Sequence, residues 1–525
     1  MTFWTPESLR TAAAGAWLVR PPQIQLPKDR PADLPLPPMH VPITGLSTDS
    51  RAIKPGQVFL ALRGERFDGH AFLADAVAAG SPVLIVDDEA VVPKDGFEPA
   101  VGVMKVADTG KALLKIAAAY RKSLNKTKVV AVCGSNGKTT TTNLIGHILS
   151  ACGLRGSTSK KSFNNAIGVP LTILAAQPSD QYLVCEVGTN APGEIAQLAE
   201  VVCPDIAVIV SIGREHLEKL GDLAGVAREE AAVLKHVTPG GCAVINADCP
   251  ELTEHLKKAP PQILFGRSPQ AQFRLGAVRH LVQADGRVGL EMTINDRQTA
   301  RLGLMGEHNA VNALAALAVA RRMGIDEAKA IAALATAAGP EMRLQMSVVA
   351  TRTGPEIRIL NDAYNANPDS MIAAIRTLGA LGSQLSPAPT RVVAVLGDML
   401  EMGDALIDGH RAVGEAVRDL HTQNAKPDLV VFAGPSMKHA HQVLMDAGWA
   451  PSSAVHLPEM SDAAAARIAA MLRPGDLVLL KGSRRMRLER VVEALKCADG
   501  GDPPTAPAFP GTVAIGGRGE PCLQG

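Results

Sequence analysis

Short apolar runs rich in Val, Ile and Leu recur along this chain in three series, separated by stretches with helical spacing. In the first, QVFLAL and SPVLIVD flank AFLADAVAAG, which predicts strands around a helix and hence a small α/β domain over residues 1–125. In the second, KVVAVC, YLVCEV, DIAVIVSIG and CAVINAD alternate with helices expected after Thr139, after Pro192 and over residues 225–237. Pro192 is placed in the first turn of its helix, where a missing N–H costs nothing. Continuous apolar strands alternating with helices predict a mostly parallel sheet covered on both faces. Ala-rich helices across residues 309–338 close this second domain, assigned to residues 126–340. The third series, EIRILND, RVVAVLGD, DLVVFAG and DLVLLKG, predicts a Rossmann-like domain over residues 341–499. The expected fold class is α/β in three domains.

Two segments fall outside the periodicity. Residues 21–42 are so rich in proline that helix and central strand are both disfavoured, which predicts an exposed insertion. Residues 500–525 combine Gly and Pro without periodicity and are expected to form a disordered tail.

Composition narrows the function classes. Lys plus Arg number 53 against 52 Asp plus Glu, so no global field draws the chain to nucleic acid or an anionic membrane. No apolar run reaches the roughly 18 residues of a membrane helix, and the N-terminus lacks a signal-peptide pattern. The eight cysteines form no CxxC pair and several sit in strand-like runs, so they read as buried, reduced thiols of a cytoplasmic protein.

The chemistry concentrates after KVVAVC, where GSNGKTTTT precedes a helical pattern. Gly134 and Gly137 let backbone N–H groups approach an anion, with Ser135 and Asn136 between them. Lys138 supplies charge, and the Thr139 hydroxyl, with Thr140 behind it, suits Mg²⁺ ligation. The loop is shorter than GxxxxGK(S/T), which would need Gly where Val132 stands. Glu186 ends YLVCEV and so emerges beside this loop, where P-loop enzymes hold Mg²⁺. His216 follows DIAVIVSIG and leaves at the same sheet edge, which points to a metal-site or substrate-orienting role. In GEHNAVNALAA, Asn309 and Asn312 stand at a helix start, fit either for capping or for polar ligand atoms. Asp362, Tyr364 and Asn365 in ILNDAYNANPDSM combine an aromatic with polar neighbours, a set suited to adenine and ribose.

The chain resembles the Mur ligases, the cytoplasmic ATP-dependent enzymes that build the peptidoglycan stem peptide. Seven ordered segments carry the resemblance: TDSRAIKPGQVFLALRGERFDGHAF, SKKSFNNAIGVPLTIL, EVGTNAPGEI, GEHNAVNALAA, ILNDAYNANPDSM, VLGDMLEMG and LLKGSRRMRLERVVEAL. The finer match is to the branch that adds D-alanyl-D-alanine to UDP-N-acetylmuramoyl-tripeptide through an acyl phosphate. The resemblance implies that Ser50 and Arg51 contact the UDP-sugar and that Asn164 and Asn165 hold the tripeptide. It implies that Thr139 and Glu186 bind one Mg²⁺, that His216 helps place a second, and that Arg343 reaches the phosphates of ATP. Asp398 and Lys481 would orient the incoming dipeptide, though solvation is the commoner fate of such charges. A closing three-domain ligase works in principle as a monomer.

One departure stands out. Mur ligases usually carry a carboxylated lysine on the helix after the histidine, and here Glu230 occupies that place in GVAREEAAVLKHV. Lys235 lies five residues on, roughly 140° around a helix at ~100° per residue, and is a poor substitute. Glu230 offers a ready carboxylate on a shorter side chain for the metal-supporting role. The plainer alternative is an exposed helical acid. Two other functions stay open on the sequence: a neighbouring Mur ligase adding the third amino acid, and a Mur-like protein that binds UDP-precursors with weakened catalysis.

Overall fold

The computed structural model describes residues 3–21, 42–64, 67–282, 287–351, 354–385, 387–422 and 425–498. The proline-rich stretch across 22–41 and the tail across 500–525 lie outside the described residues. Three large sheets organise the chain. The first runs Ala16–Val19, Gly102–Lys105, Val83–Val86, Gln57–Leu60, Gly45–Ser47, with the Ala16–Val19 edge antiparallel and the other pairs parallel.

The second sheet has nine strands. From one edge they are Gly156–Thr158, Tyr182–Glu186, Lys128–Cys133, Ile206–Ile209, Cys242–Asn246, Gln262–Gly266 and Phe273–Val282, all parallel, then Val288–Ile294 and Gln298–Leu302, antiparallel. Val129, Val130, Ala131, Val132 and Cys133 are each 0% exposed, which requires cover on both faces. Helix Lys138–Ala151 and the Ala-rich helix Glu307–Arg322 cover one face, and small side chains let these two helices pack closely. Helices Thr109–Ser123, Gly168–Ala175 and Glu194–Val202 cover the other. The buried Arg121 ties Thr109–Ser123 to that layer by donating to the carbonyls of Val202 and Cys203, both at 2.9 Å.

The third sheet has six strands in the order Gln345–Val349, Ile357–Asp362, Leu477–Lys481, Val392–Gly397, Leu429–Ala433, Ala454–Leu457, antiparallel only at its first pair. All three sheets are thus mostly parallel, as the alternating pattern predicts for the second and the Rossmann-like reading for the third.

Several local expectations change. Pro192 stands outside its helix, which spans Glu194–Val202 behind a left-handed Gly193 cap at φ 91°. The helix expected over 225–237 is α-helical only over Leu223–Glu230 and then tightens to a 3₁₀ turn, Ala231–His236. Counting ~100° per residue out to Lys235 therefore fails beyond Glu230. The antiparallel strands between Phe273 and Leu302, and Gln345–Val349, add edges beyond the expected series. Of the seven described cysteines, all free, Cys133, Cys185 and Cys242 are buried while Cys497 is exposed, which corrects the uniformly buried expectation.

Candidate active site

Parallel strands bring their C-terminal ends to one edge. Glu186 pairs in register with Val132, and Ile209 with Cys133, so the segments after three adjacent strands leave the sheet together. The first of these is the phosphate loop. Gly134 takes φ 122°, and a Cβ on it would lie 2.8 Å from the Ser211 nitrogen, so both conformation and space demand glycine. Gly137 at φ 87° caps helix Lys138–Ala151 with no side-chain cap bond, which leaves the helix N-terminus for an anion. The segment after Ile206–Ile209 braces the loop. Ser135 N donates to Ser211 O at 2.9 Å, Asn136 N to Ser211 Oγ at 2.8 Å, and Gly213 N to Ser135 Oγ at 2.8 Å.

Lys138 folds back over this loop, its Nζ donating to the carbonyls of Gly134 and Ser135, the latter at 3.2 Å. Around it stand three carboxylates. Glu215 Oε1 is 3.6 Å from Lys138 Nζ. Glu230 is 0% exposed, and its Oε2 accepts the Gly134 amide proton at 2.7 Å. Glu186 is 1% exposed and its Oε1 accepts from Asn164 Nδ2 at 2.9 Å. One oxygen of each acid, Glu186 Oε2, Glu215 Oε1 and Glu230 Oε1, is buried without a hydrogen-bond partner. The reading of Glu230 as an exposed helical acid is therefore overturned.

Burial raises the pKa of all three acids against the pull of Lys138, and it pushes Glu230 to about 8. Burial by itself would depress Lys138. The combined charge of Glu215, Glu230 and Glu186 outweighs it, and the ammonium is held more firmly than usual. Glu215 was not among the residues singled out in the sequence; its signal there is an acid next to His216 in the segment that follows strand Ile206–Ile209 of a parallel sheet.

The remaining residues divide. Thr139 Oγ1 is 3.4 Å from Ser162 Oγ, and its hydroxyl also reaches Glu186. Thr140 is buried in the helix behind it. Asn312 stands against Gly137 and donates to Asn309 Oδ1 at 2.9 Å, while Asn309 donates to Met305 O at 2.7 Å. The cap of that helix is Gly306, with no side-chain cap bond, so neither Asn serves as an N-cap. His216 Nδ1 lies 2.8 Å from Glu401 Oε2, a contact from the third sheet's side.

Arg343 sits between two strained residues, Met342 at φ 57° and Leu344 at φ 50°, and its guanidinium lies 4.2 Å over the Tyr364 ring. One face of that ring is thereby taken. Asp362 accepts from Leu344 N at 3.1 Å and pairs with Lys481 Nζ at 2.7 Å, and Lys481 donates on to Asn365 O at 3.1 Å. Lys481 is 2% exposed and Asp398 3% exposed, so neither is a solvated charge. Both Asp398 oxygens accept from the Ser436 amide, and Oδ1 also from Met437 at 2.9 Å, which commits this carboxylate to a turn.

Away from this cluster, Asn165 Oδ1 accepts from Ile167 N and Gly168 N at the start of helix Gly168–Ala175. Ser50 and Arg51 form a 3₁₀ turn beside the first sheet, where the Arg51 guanidinium pairs with Asp49 at 2.8 Å. Among the described residues no helix is long and apolar enough to cross a membrane.

Comparison with known proteins matches the same architecture. Residues 42–121, 132–320 and 342–484 match models described as the Mur ligase family catalytic domain, the Mur ligase middle domain and the Mur ligase glutamate ligase domain. The UDP-N-acetylmuramoyl-tripeptide–D-alanyl-D-alanine ligase of Mycobacterium tuberculosis is 34% identical over 488 residues, 88% of this chain and 94% of that protein. Its Bacillus subtilis counterpart is 32% identical, over 86% of this chain and 93% of that one. A crystal structure of MurF from Acinetobacter baumannii superposes with TM-score 0.76 at 30% identity, covering 94% of this chain and 98% of that one. MurF from Thermotoga maritima in complex with ADP gives 0.70 at 26% identity, covering 87% and 97%. With three family models in order along it and curated relatives matched over most of their length, the chain belongs to the Mur ligase family.

Proposed function

We propose that this protein is an ATP-dependent ligase that joins D-alanyl-D-alanine to UDP-N-acetylmuramoyl-tripeptide, releasing ADP and phosphate, as its named relatives do. The carrying observation is the buried lysine between a glycine-rich loop and three carboxylates, each keeping one buried oxygen without a hydrogen bond, that of Glu215 facing the lysine at 3.6 Å. Such a site suits a triphosphate with its cation.

A terminal carboxylate is a poor acyl donor at neutral pH. Its oxygen attacks the ATP γ-phosphorus, forming an O–P bond as the bond to ADP breaks. The dipeptide amine then attacks the acyl carbon, loses a proton, and phosphate departs with the acyl oxygen. Two anions must meet for the first step, and unit charges 4 Å apart interact by about 4 kcal/mol at the effective dielectric of a protein surface. Lys138 offsets that repulsion, and Arg343, held over Tyr364, supplies a second cation from the third sheet.

Among the described residues no three His, Cys, Asp or Glu side chains converge to hold a metal ion by themselves, so a cation here would take phosphate oxygens of ATP as further ligands, with Thr139 and Glu186 as its direct protein holders and His216 and Glu230 supporting a second. Mg²⁺ bound there would spread the charge of the triphosphate. Residues 1–125 would hold the UDP-sugar through Ser50 and Arg51, residues 126–340 the nucleotide, and residues 341–499 the dipeptide and adenine. Asn164 and Asn165 would meet the tripeptide, and Asp362, Tyr364 and Asn365 the adenine side. With ATP and a UDP-linked sugar as substrates, the reaction would run in the cytoplasm.

Phosphate release with ATP, Mg²⁺ and both substrates, beside omission of each, tests the reading. Release that needs both, with a pentapeptide product, is expected. Release without the dipeptide, or no release from folded ATP-binding protein, would sink it.

A further inference from the structure

Helix Pro368–Gln384 begins with more polar contacts than a helix needs. Asn367 caps it, its Oδ1 accepting from Ser370 N at 2.8 Å while Ser370 Oγ accepts from Asn367 N at 3.0 Å, a complete capping box. Two further contacts leave the helix altogether. Asn367 Nδ2 donates to Asn136 Oδ1 in the phosphate loop at 2.9 Å. Asp369 Oδ2 accepts from Arg214 N at 2.8 Å, and Oδ1 accepts from the Arg214 guanidinium at 2.7 and 3.2 Å.

The first contact lands on the phosphate loop and the second on the segment that braces it and carries Glu215 beside Lys138. Gly213 makes the approach possible: a Cβ there would lie 2.9 Å from Asp369 Oδ2 and 3.2 Å from Asn136 Nδ2. The bracing segment is touched again at His216 by Glu401, and a Cβ on Gly403 would lie 2.9 Å from Glu218 Cα.

We propose that Asp369 and Asn367 are positioning residues forming a latch, which couples closure of the third sheet to the placement of Asn136, Glu215 and hence Lys138. The inference rests on the ligase reading. Closure and assembly of the charged site become one event, so that the acyl phosphate forms only where water is excluded. The Arg214 and Asp369 side chains stay 35% and 38% exposed, as suits a contact that must break to release product.

The test compares wild type, Asp369→Ala, Arg214→Ala and the double variant, with Asp369→Asn as a milder version should Asp369→Ala melt early. The first readout is phosphate released per pentapeptide formed. The latch predicts a rise of about twofold or more in each single variant, because water competes for the acyl phosphate, and no further rise in the double variant. The second is small-angle scattering with a non-hydrolysable ATP analogue, where the variants should show a larger radius of gyration. Unchanged stoichiometry and scattering, or additive single effects, would overturn the latch. If wild type makes no pentapeptide, the ligase reading falls, while scattering still decides the latch.

Discussion

Glu230 accepts the amide proton of Gly134 at 2.7 Å, so a helix acid of the second sheet holds the first residue of the phosphate loop. Glu230→Gln keeps an acceptor there and removes the carboxyl group that a bound cation would face. We expect its kcat/KM for ATP to fall about 10–100-fold, the usual cost of losing a group that supports a metal site. Glu230→Ala also strands a buried N–H and should lose about 1–3 kcal/mol of stability by denaturant titration. Wild-type kinetics in Glu230→Gln would reduce the residue to a backbone anchor.

The same residue predicts a pH dependence. Burial raises its pKa from 4.5 to about 8, against the opposing charge of Lys138 and with help from Glu215. The folded chain keeps a proton that the unfolded chain gives up, so its stability is full below about pH 4.5 and is lost as pH rises to about 8. Melting temperatures of the metal-free protein should decline across this window, and less steeply in Glu230→Gln.

Lys481→Met should cost about 3–5 kcal/mol, because it leaves the buried carboxylate of Asp362 without its cation. Chemical denaturation reads this directly. Because Asp362 also fixes Leu344 N beside Arg343, turnover should drop even where the variant is fully folded.

Gly137→Ala forces a side chain into a left-handed position at φ 87° and against Asn312. The conformation alone costs roughly 1–2 kcal/mol. The expected signature is a raised KM for ATP, read in phosphate-release kinetics, with KM for the dipeptide much less affected.

The phosphate loop and its flanking strands were legible because their signals are local: an apolar run, two glycines and a lysine before a helical period. Glu186 was legible for the same reason, as the last residue of its strand. The hydrogen bond from Gly134 to Glu230 and the pairing of Asp362 with Lys481 join distant segments, and nothing in either segment's period announces them. Asp398 and Lys481 look solvated as isolated charges, yet strand ends in a parallel sheet are buried by the loops that gather there. The antiparallel edge from Phe273 to Leu302 was missed because one exposed face breaks the continuous apolar run that marks the central strands.

Parallel strands also give this molecule a working end and an idle one. The candidate residues around Lys138 leave the second sheet from strand ends at Cys133, Glu186 and Ile209, and the third sheet meets them through the segments after Asp362 and Gly397. The opposite ends begin at residues such as Lys128 and Cys242, behind turns like that at Gly240, which has open space around it. A short tag inserted beside Gly240, leaving that glycine and its left-handed backbone in place, should therefore ride on the enzyme without entering its chemistry, giving a reporter for the domain motion that the latch would govern.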